Sequence, residues 1–238
     1  MTGFPSGFQH RAVLVTGGTG GLGQGVVPVL LSHGYTLTIP YIDGTARVAL
    51  EKQLAAAELA NVRFVAADLN NESEVAALVE RMPQLDAVVH LVGGFSMGAT
   101  AQFALSDWQQ SFRLNVETTF LVCKHALKRM QAQQYGRIVT IGSRGAVEPA
   151  AELAAYCAAK AAVVAFTRAI AAETKGKNIT ANVILPSIID TPANRAAMGE
   201  AQAAHWVSPA AIAELIAYLI SEGAAAISGA VIPIYGNA

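Results

Sequence analysis

The chain has 238 residues, 53% of them hydrophobic and 14% charged, which excludes a disordered chain and predicts a large core with helices covering both faces of any sheet. Its net charge of -1 offers no positive field to a phosphate backbone, and no Lys/Arg-rich run marks a footprint, so nucleic acid is not an expected partner. The two cysteines, Cys123 and Cys157, are too few for a disulfide framework and lack metal-ligand spacing, so a reducing cytoplasm and no metal are expected.

Met1 to Arg11 lacks the basic, apolar and small-residue succession of a signal peptide. Ala12 to Ile42 carries no Asp, Glu, Lys or Arg, but repeated glycines, Pro28 and Pro40 interrupt it, so it reads as strand, turn, helix and strand rather than a membrane span. Ala12 to Val15 is the first strand, and Gly23 to Ser32 a helix stopped by Gly34. Pro28 predicts a local kink there, because it removes a hydrogen bond and crowds the carbonyl of Gln24. Tyr35 to Tyr41 then reads as a strand, Ala46 to Leu59 as an Ala-rich helix and Arg63 to Ala66 as a strand. Glu72 to Arg81 reads as a helix, Ala87 to Val92 as a buried strand, Ser106 to Met130 as one long helix and Arg137 to Ile141 as a strand. The series ends with helix Ala150 to Glu173, strand Ile179 to Ile184, helix Pro209 to Ser221 and strand Ala230 to Tyr235. Strands alternating with helices imply right-handed crossovers, and no linker, repeat or low-complexity tail intervenes. The expectation is an α/β fold, a single doubly wound domain over residues 1–238 with a mainly parallel sheet flanked by helices.

Thr16-Gly17-Gly18-Thr19-Gly20-Gly21-Leu22-Gly23 lies between the first strand and first helix, where backbone amides at a helix N-terminus can bind a pyrophosphate. Gly18, Gly20 and Gly23 fit G-x-G-x-x-G, whereas Gly17, Gly21 and Gly23 fit G-x-x-x-G-x-G. A glycine run alone could be a tight turn, but its position between strand and helix points to a Rossmann-type dinucleotide site. After the second strand, Asp43 stands at the distance of a carboxylate that would hold the ribose of NAD, while Tyr41 occupies the strand end and Arg47 could meet the phosphate of NADP. Both cofactors stay open.

Tyr156 and Lys160, four residues apart, share one face of the predicted helix 150–173. Such a pair can be a simple surface contact. It can also be catalytic, since a carbonyl reduced by hydride needs a proton, and an ammonium beside a phenol would lower the phenol's pKa from about 10. Ser143 follows the strand 137–141 at its C-terminal edge, where doubly wound proteins bind ligands, and could otherwise be a turn hydroxyl. Asn115 is a polar interruption of the long helix, catalytic or simply a buried, satisfied amide.

Taken together these motifs resemble the short-chain dehydrogenase/reductase family over nearly the full length. Thr16, Gly17, Gly21, Leu22 and Gly23 match its T-G-x-x-x-G-x-G phosphate turn, with Thr19 inside it, and Asn115, Ser143, Tyr156 and Lys160 match its Asn-Ser-Tyr-Lys tetrad. The resemblance implies that Tyr156 is the acid-base residue and that Ser143 polarises the substrate oxygen. Lys160 would hold the nicotinamide ribose and tune Tyr156, and Asn115 would link Lys160 to solvent through water. Asp68-Leu69 resembles the family's pair beside the adenine, although Asp68 could also cap the next helix. Asn182 to Pro186 followed by Thr191 resembles the segment that closes on the nicotinamide, which implicates Pro186, Ile188 and Thr191; Ser187 replaces a glycine and could narrow that pocket. His90-Leu91-Val92-Gly93 stands where the family has N-N-A-G, so Gly93 is retained but the bracing asparagine is not. Gly236-Asn237 departs from a paired glycine.

The expected activity is NAD(P)-dependent hydride transfer to or from a small carbonyl or alcohol, with no nucleic-acid or membrane partner. Residues 192–207 would form a short substrate lid, in which Asn194 and Arg195 could meet a polar substrate or simply face solvent. Gly93-Gly94-Phe95 and the stretch from Leu185 to Met198 also resemble dihydropteridine reductases, which makes quinonoid dihydropterin reduction the alternative activity. A nicotinamide-binding sensor without turnover is the non-enzymatic alternative. Apolar surface on helices 106–130 and 150–173 suggests subunit pairing, and the family resemblance implies a homotetramer, with a homodimer as the other assembly.

Overall fold

The structure is a computed structural model that describes residues 11–201 and 203–237. The stretch read as lacking a signal peptide lies outside them apart from Arg11, as do one position of the expected lid and the last residue.

The strands are β1 (Ala12–Thr16), β2 (Thr36–Tyr41), β3 (Val62–Ala66), β4 (Ala87–His90), β5 (Gly136–Ile141), β6 (Ile179–Pro186) and β7 (Val231–Ile234). All neighbours pair in parallel, in the order β3-β2-β1-β4-β5-β6-β7. The order reverses beside β1, where the chain leaves towards β2 on one side and later returns as β4 on the other. A crevice therefore opens above the C-terminal ends of β1 and β4.

Alternation along β1 explains how so short a strand is held. Val13 and Val15 face one layer, packed with Val26 and Leu30 of α1 (Gly23–Ser32) and Ile212 and Ile216 of α9 (Pro209–Leu219). Leu14 faces the other, with Val75 and Leu78 of α4 (Glu72–Glu80) and Val122 and Ala126 of α6 (Thr118–Gln133). Each such side chain contributes about 1.5–3 kcal/mol on burial. The helix α7 (Ala154–Glu173) lies against β5 and β6. Pro28 sits inside α1.

Three expected helices differ from the reading above. The helix expected over 46–59 is α2 (Gly44–Gln53) followed by α3 (Ala56–Leu59). The break falls where Leu54 turns extended and buries its side chain, and the Glu58 carboxylate restarts the helix by accepting from the Ala55 amide at 2.7 Å. Helix α7 starts at Ala154 rather than 150, because Glu152 adopts a left-handed φ of 64° and its carbonyl accepts from the Gly98 amide.

The third departure lies at the site. The long helix expected over 106–130 is α5 (Leu105–Phe112), a π turn at Arg113–Glu117, and α6. Three polar side chains bond the carbonyl four residues back: Asn115 Nδ2 to Ser111 O at 2.9 Å, Thr118 Oγ1 to Leu114 O at 2.6 Å and Thr119 Oγ1 to Asn115 O at 2.6 Å. They offer those carbonyls an alternative to backbone donors, which lets the turn widen.

Candidate active site

The glycine turn joins β1 to α1 around a tight backbone fold. Gly17 has a left-handed φ of 70°, and a Cβ there would stand 2.9 Å from the Val92 amide nitrogen. A Cβ on Gly23 would stand 2.3 Å from the Gly17 carbonyl oxygen and 2.4 Å from that of Gly18, so no side chain fits. Gly20, by contrast, would meet nothing nearer than 3.3 Å. A Cβ on Gly21 would meet its nearest atom, Thr191 Cβ, at the same 3.3 Å, and one on Gly18 would meet Ile39 Cγ2 at 2.9 Å, so the severest steric demand falls on Gly17 and on Gly23, the latter common to both registers. Leu22, which precedes α1, makes no side-chain capping bond, and the Gln24 and Gly25 amides are met only by backbone carbonyls, of Gly20 at 2.9 Å and Leu22 at 3.1 Å. A glycine-rich turn beside a helix N-terminus without a side-chain cap fits a dinucleotide pyrophosphate.

This turn lines one end of a cavity of about 420 Å³. Gly17, Thr19, Gly21 and Leu22 contribute from the turn, Gly93 from beyond β4, Ser143 from beyond β5, Tyr156 and Lys160 from α7, and Pro186 from the end of β6. Most of the expected site residues are therefore brought together from five parts of the chain.

Tyr156 and Lys160 do share one face of α7. The Tyr156 phenol and the Ser143 side chain are hydrogen-bonded, and the Ser143 hydroxyl also accepts from the Gly145 amide at 3.1 Å, so the turn role and the site role coexist. Lys160 is only 6% exposed; its Nζ donates to the Ile141 carbonyl at 3.0 Å and lies 6.0 Å from the Tyr156 ring centre. Burial lowers the Lys160 pKa from 10.5 to about 8. Burial also raises the pKa of Tyr156, opposed by the bond to Ser143. This corrects the expectation that the ammonium would acidify the phenol, because Lys160 points at Ile141 and desolvation dominates.

Asn115 is buried behind the cavity rather than in its lining. Its amide clamps Gly94, with Oδ1 accepting from the Gly94 amide at 3.2 Å and Nδ2 donating to the Gly94 carbonyl at 3.1 Å. It is a satisfied buried amide. A Cβ on Gly93 would stand 2.7 Å from Asn115 Oδ1 and 2.9 Å from Lys160 Nζ, so the glycine lets both groups close in on the same point.

His90 supplies the brace that the sequence left unassigned. Its Nδ1 lies 2.8 Å from Thr16 Oγ1 and its Nε2 3.4 Å from Thr118 Oγ1. Thr118 already donates its proton to Leu114 O, so at His90 it accepts, which fixes a neutral ring protonated on Nε2 and accepting from Thr16. Burial lowers the His90 pKa to about 3, and the nearby Lys160 adds to the effect. Thr16, fully buried, thus holds the base of the glycine turn to β4 instead of lining the cavity.

Other expected contacts stand elsewhere. Asp43 is exposed and caps α2 by accepting from the Thr45 amide at 2.8 Å, while Arg47 pairs with Glu51 at 3.1 Å and lies over the Tyr41 ring. Asp68 bonds the Asn70 amide at 2.9 Å, the cap of α4 is Asn71, and Leu69 is buried. Ile188 is outside the cavity lining, whereas Ile189 is in it. Thr191 is buried against Gly21, and its hydroxyl accepts from the Asn194 amide at the start of α8 (Pro192–Met198). Ser187 lines the cavity, but its hydroxyl donates to the Tyr235 carbonyl at 2.7 Å, away from the pocket it was expected to narrow. Asn194 lines the cavity, and Arg195 is held by both oxygens of Asp190, at 2.6 and 2.8 Å. Gly94, Phe95 and Ile141 also line it and were not assigned to the site; the signal for them was their position at strand ends.

A crevice at the switch point of a parallel sheet, lined by a glycine-rich phosphate turn and by Ser143, Tyr156 and Lys160, is the arrangement of a nicotinamide-type oxidoreductase. The family model for short chain dehydrogenases matches residues 11–202, and the chain belongs to the short-chain dehydrogenase/reductase family, enzymes that are NAD(P)-dependent oxidoreductases. It is 30% identical over 244 residues to an acetoacetyl-CoA reductase of Acinetobacter sp. (strain RA3849), covering 96% of this chain and 98% of the relative. Among solved structures it is similar to a short-chain type dehydrogenase/reductase from Mycobacterium ulcerans, with a TM-score of 0.89 and 28% identity over 97% of this chain and 90% of the other. It is likewise similar to a variant of actinorhodin polyketide ketoreductase with NADPH, at a TM-score of 0.88 and 28% identity over 95% and 96% of the two chains.

Proposed function

We propose that the chain moves a hydride between a nicotinamide dinucleotide and a small carbonyl or alcohol by a Ser-Tyr-Lys mechanism. The observation that carries this reading is the bonded pair of Ser143 and Tyr156 at the cavity, with the buried Lys160 one helical turn along α7. The bound dinucleotide would supply or accept the hydride. Tyr156 holds the proton for the substrate oxygen, and Ser143 polarises that oxygen by sharing its hydroxyl with the phenol. Lys160 would hold a ribose and, once turned from the Ile141 carbonyl, bring its charge to Tyr156. Asn115 keeps Gly94 in place, and a water beside its Oδ1 would link Lys160 to solvent.

Thr16, Gly17, Thr19, Gly21, Leu22 and Gly23 form or brace the pyrophosphate site in this reading, with Asp68 and Leu69 towards the adenine and Gly93, Pro186, Ile188 and Thr191 towards the nicotinamide. Asp43 and Arg47 leave NAD and NADP open, and Michaelis constants for the two reduced cofactors decide between them. Residues 192–207 act as the lid, closed at its base by the Ile189 to Val207 bridge and the bond from the Asp190 amide to the Val207 carbonyl. We also read the protein as a cytoplasmic homotetramer, supported by its free buried cysteines and by Trp108 and Phe120, large apolar side chains exposed on α5 and α6. A solution mass of one chain would rule out that assembly.

The test is Tyr156→Phe, which removes the proton donor and leaves the ring. The expected result is a fall of about 10²–10⁴-fold in kcat on any accepted carbonyl, with cofactor binding retained. Equal turnover by the variant would overturn the mechanism. Cofactor binding without turnover by the unaltered chain, across a broad carbonyl and alcohol panel, would favour the sensor.

A further inference from the structure

Phe95 is a large apolar side chain left 65% exposed, although its ring meets Tyr156 edge-on, with centroids 5.1 Å apart and planes at 64°. Its place is not an accident of a loose loop. The residue before it is pinned at both its amide and its carbonyl by Asn115, and a Cβ on Gly94 would stand 2.4 Å from Leu114 Cδ2, so the backbone that delivers the ring is tightly packed. Phe95 lines the same cavity as Tyr156 and Ser143. Among the described residues lining that cavity, Lys160 is the one charged side chain, and its Nζ is turned to the Ile141 carbonyl. The wall beside the phenol therefore presents an open aromatic ring and no carboxylate or guanidinium to a substrate.

We infer that Phe95 determines substrate specificity, by stacking against a flat, uncharged aromatic or conjugated group attached to the reacting carbonyl. The inference rests on the proposed hydride-transfer site and narrows its substrate class. An aromatic contact of this kind adds to what area burial alone provides, and it requires flatness as well as size, so a saturated ring of equal bulk gains less from it.

The test compares acetophenone with cyclohexyl methyl ketone, bound to protein saturated with NAD⁺ or NADP⁺, whichever binds more tightly. Neither ketone can be reduced in that complex, so affinity is read alone, by NMR titration. The unaltered chain is expected to favour acetophenone. Phe95→Ala is expected to lower that affinity ratio about fivefold, equivalent to about 1 kcal/mol, while Phe95→Tyr keeps it. A ratio of one or less in the unaltered chain, a ratio unchanged in Phe95→Ala, or an equal fall in Phe95→Tyr would each overturn the inference. If the ratio behaves as stated but bound acetophenone is not reduced once the reduced cofactor is supplied, the hydride-transfer reading fails and the role of Phe95 in recognition stands.

Discussion

Replacing Lys160 by Met should make the protein more stable at neutral pH while removing its activity. The side chain is 6% exposed, and burial lowers its pKa from 10.5 to about 8, which corresponds to a penalty of about 3 kcal/mol for keeping the ammonium charged in the folded state. Met fills a similar volume without that penalty. Against this, the Ile141 carbonyl loses its donor, at a cost of about 1–3 kcal/mol. The net expectation is a gain of about 1 kcal/mol at pH 7. Its pH dependence is the stronger signature. Because the folded pKa lies below the unfolded one, the penalty is complete below pH 8, fades between 8 and 10.5 and is absent above. Urea denaturation of Lys160→Met and the unaltered chain, at matched concentration, at pH 7 and pH 10, should therefore show an advantage that shrinks or reverses at the higher pH. A Met variant less stable at pH 7, or an advantage equal at both pH values, would refute the reasoning.

Three further substitutions test the scaffold of the site. Gly93→Ala places a Cβ 2.7 Å from Asn115 Oδ1 and 2.9 Å from Lys160 Nζ, so kcat should fall at least about tenfold, with circular dichroism showing the fold retained. Gly23→Ala drives a methyl to 2.3 Å from the Gly17 carbonyl oxygen, and calorimetric titration should find dinucleotide affinity reduced by about 100-fold or lost. The third is His90→Asn. His90 has a folded pKa of about 3, below its unfolded 6.5, so the unfolded chain takes up the proton first and stability falls as pH drops from 6.5 towards 3. The slope is about 1.4 kcal/mol per pH unit, and denaturation at pH 6 and pH 4 should show it flattened by that amount in the variant.

The parallel α/β architecture was legible because its apolar runs and glycine stops repeat in register with the fold, as at β1 and α1. The phosphate turn and the Ser143, Tyr156 and Lys160 cluster were read from their places at strand ends and on one helix face together with the family resemblance, since a glycine run or a Tyr/Lys pair alone also fits a tight turn or a surface contact. Asn115 was picked out as a polar break in a long helix, but not the π turn around it. That turn depends on Thr118 and Thr119 bonding carbonyls four residues back, which periodicity does not register. Leu54 ended α2 early because burying one side chain outweighed the helix propensity of an Ala-rich stretch. Ser187 showed only as a substitution, since the Tyr235 carbonyl it bonds is distant in sequence. The His90 brace was hidden for the same reason: its partners, Thr16 and Thr118, are contributed by β1 and α6.

The opposite pKa shifts of Tyr156 and Lys160 have a common origin, and it bears on where the site keeps its protons. Burial penalises charge on either group, so it raises the phenol and lowers the amine to about 8, which leaves a protonated phenol beside an ammonium at pH 7. A pair of that kind keeps its proton on the phenol, beside the Ser143 hydroxyl, where a substrate oxygen gaining negative charge would collect it. The ion pair expected from sequence, tyrosinate beside ammonium, would instead suit removal of a proton from an alcohol. The two states differ by the phenol proton, and Lys160 Nζ is bonded to the Ile141 carbonyl, 6.0 Å from the phenol ring centre. Turning that ammonium from Ile141 towards Tyr156 would lower the phenol's pKa by bringing positive charge nearer to it.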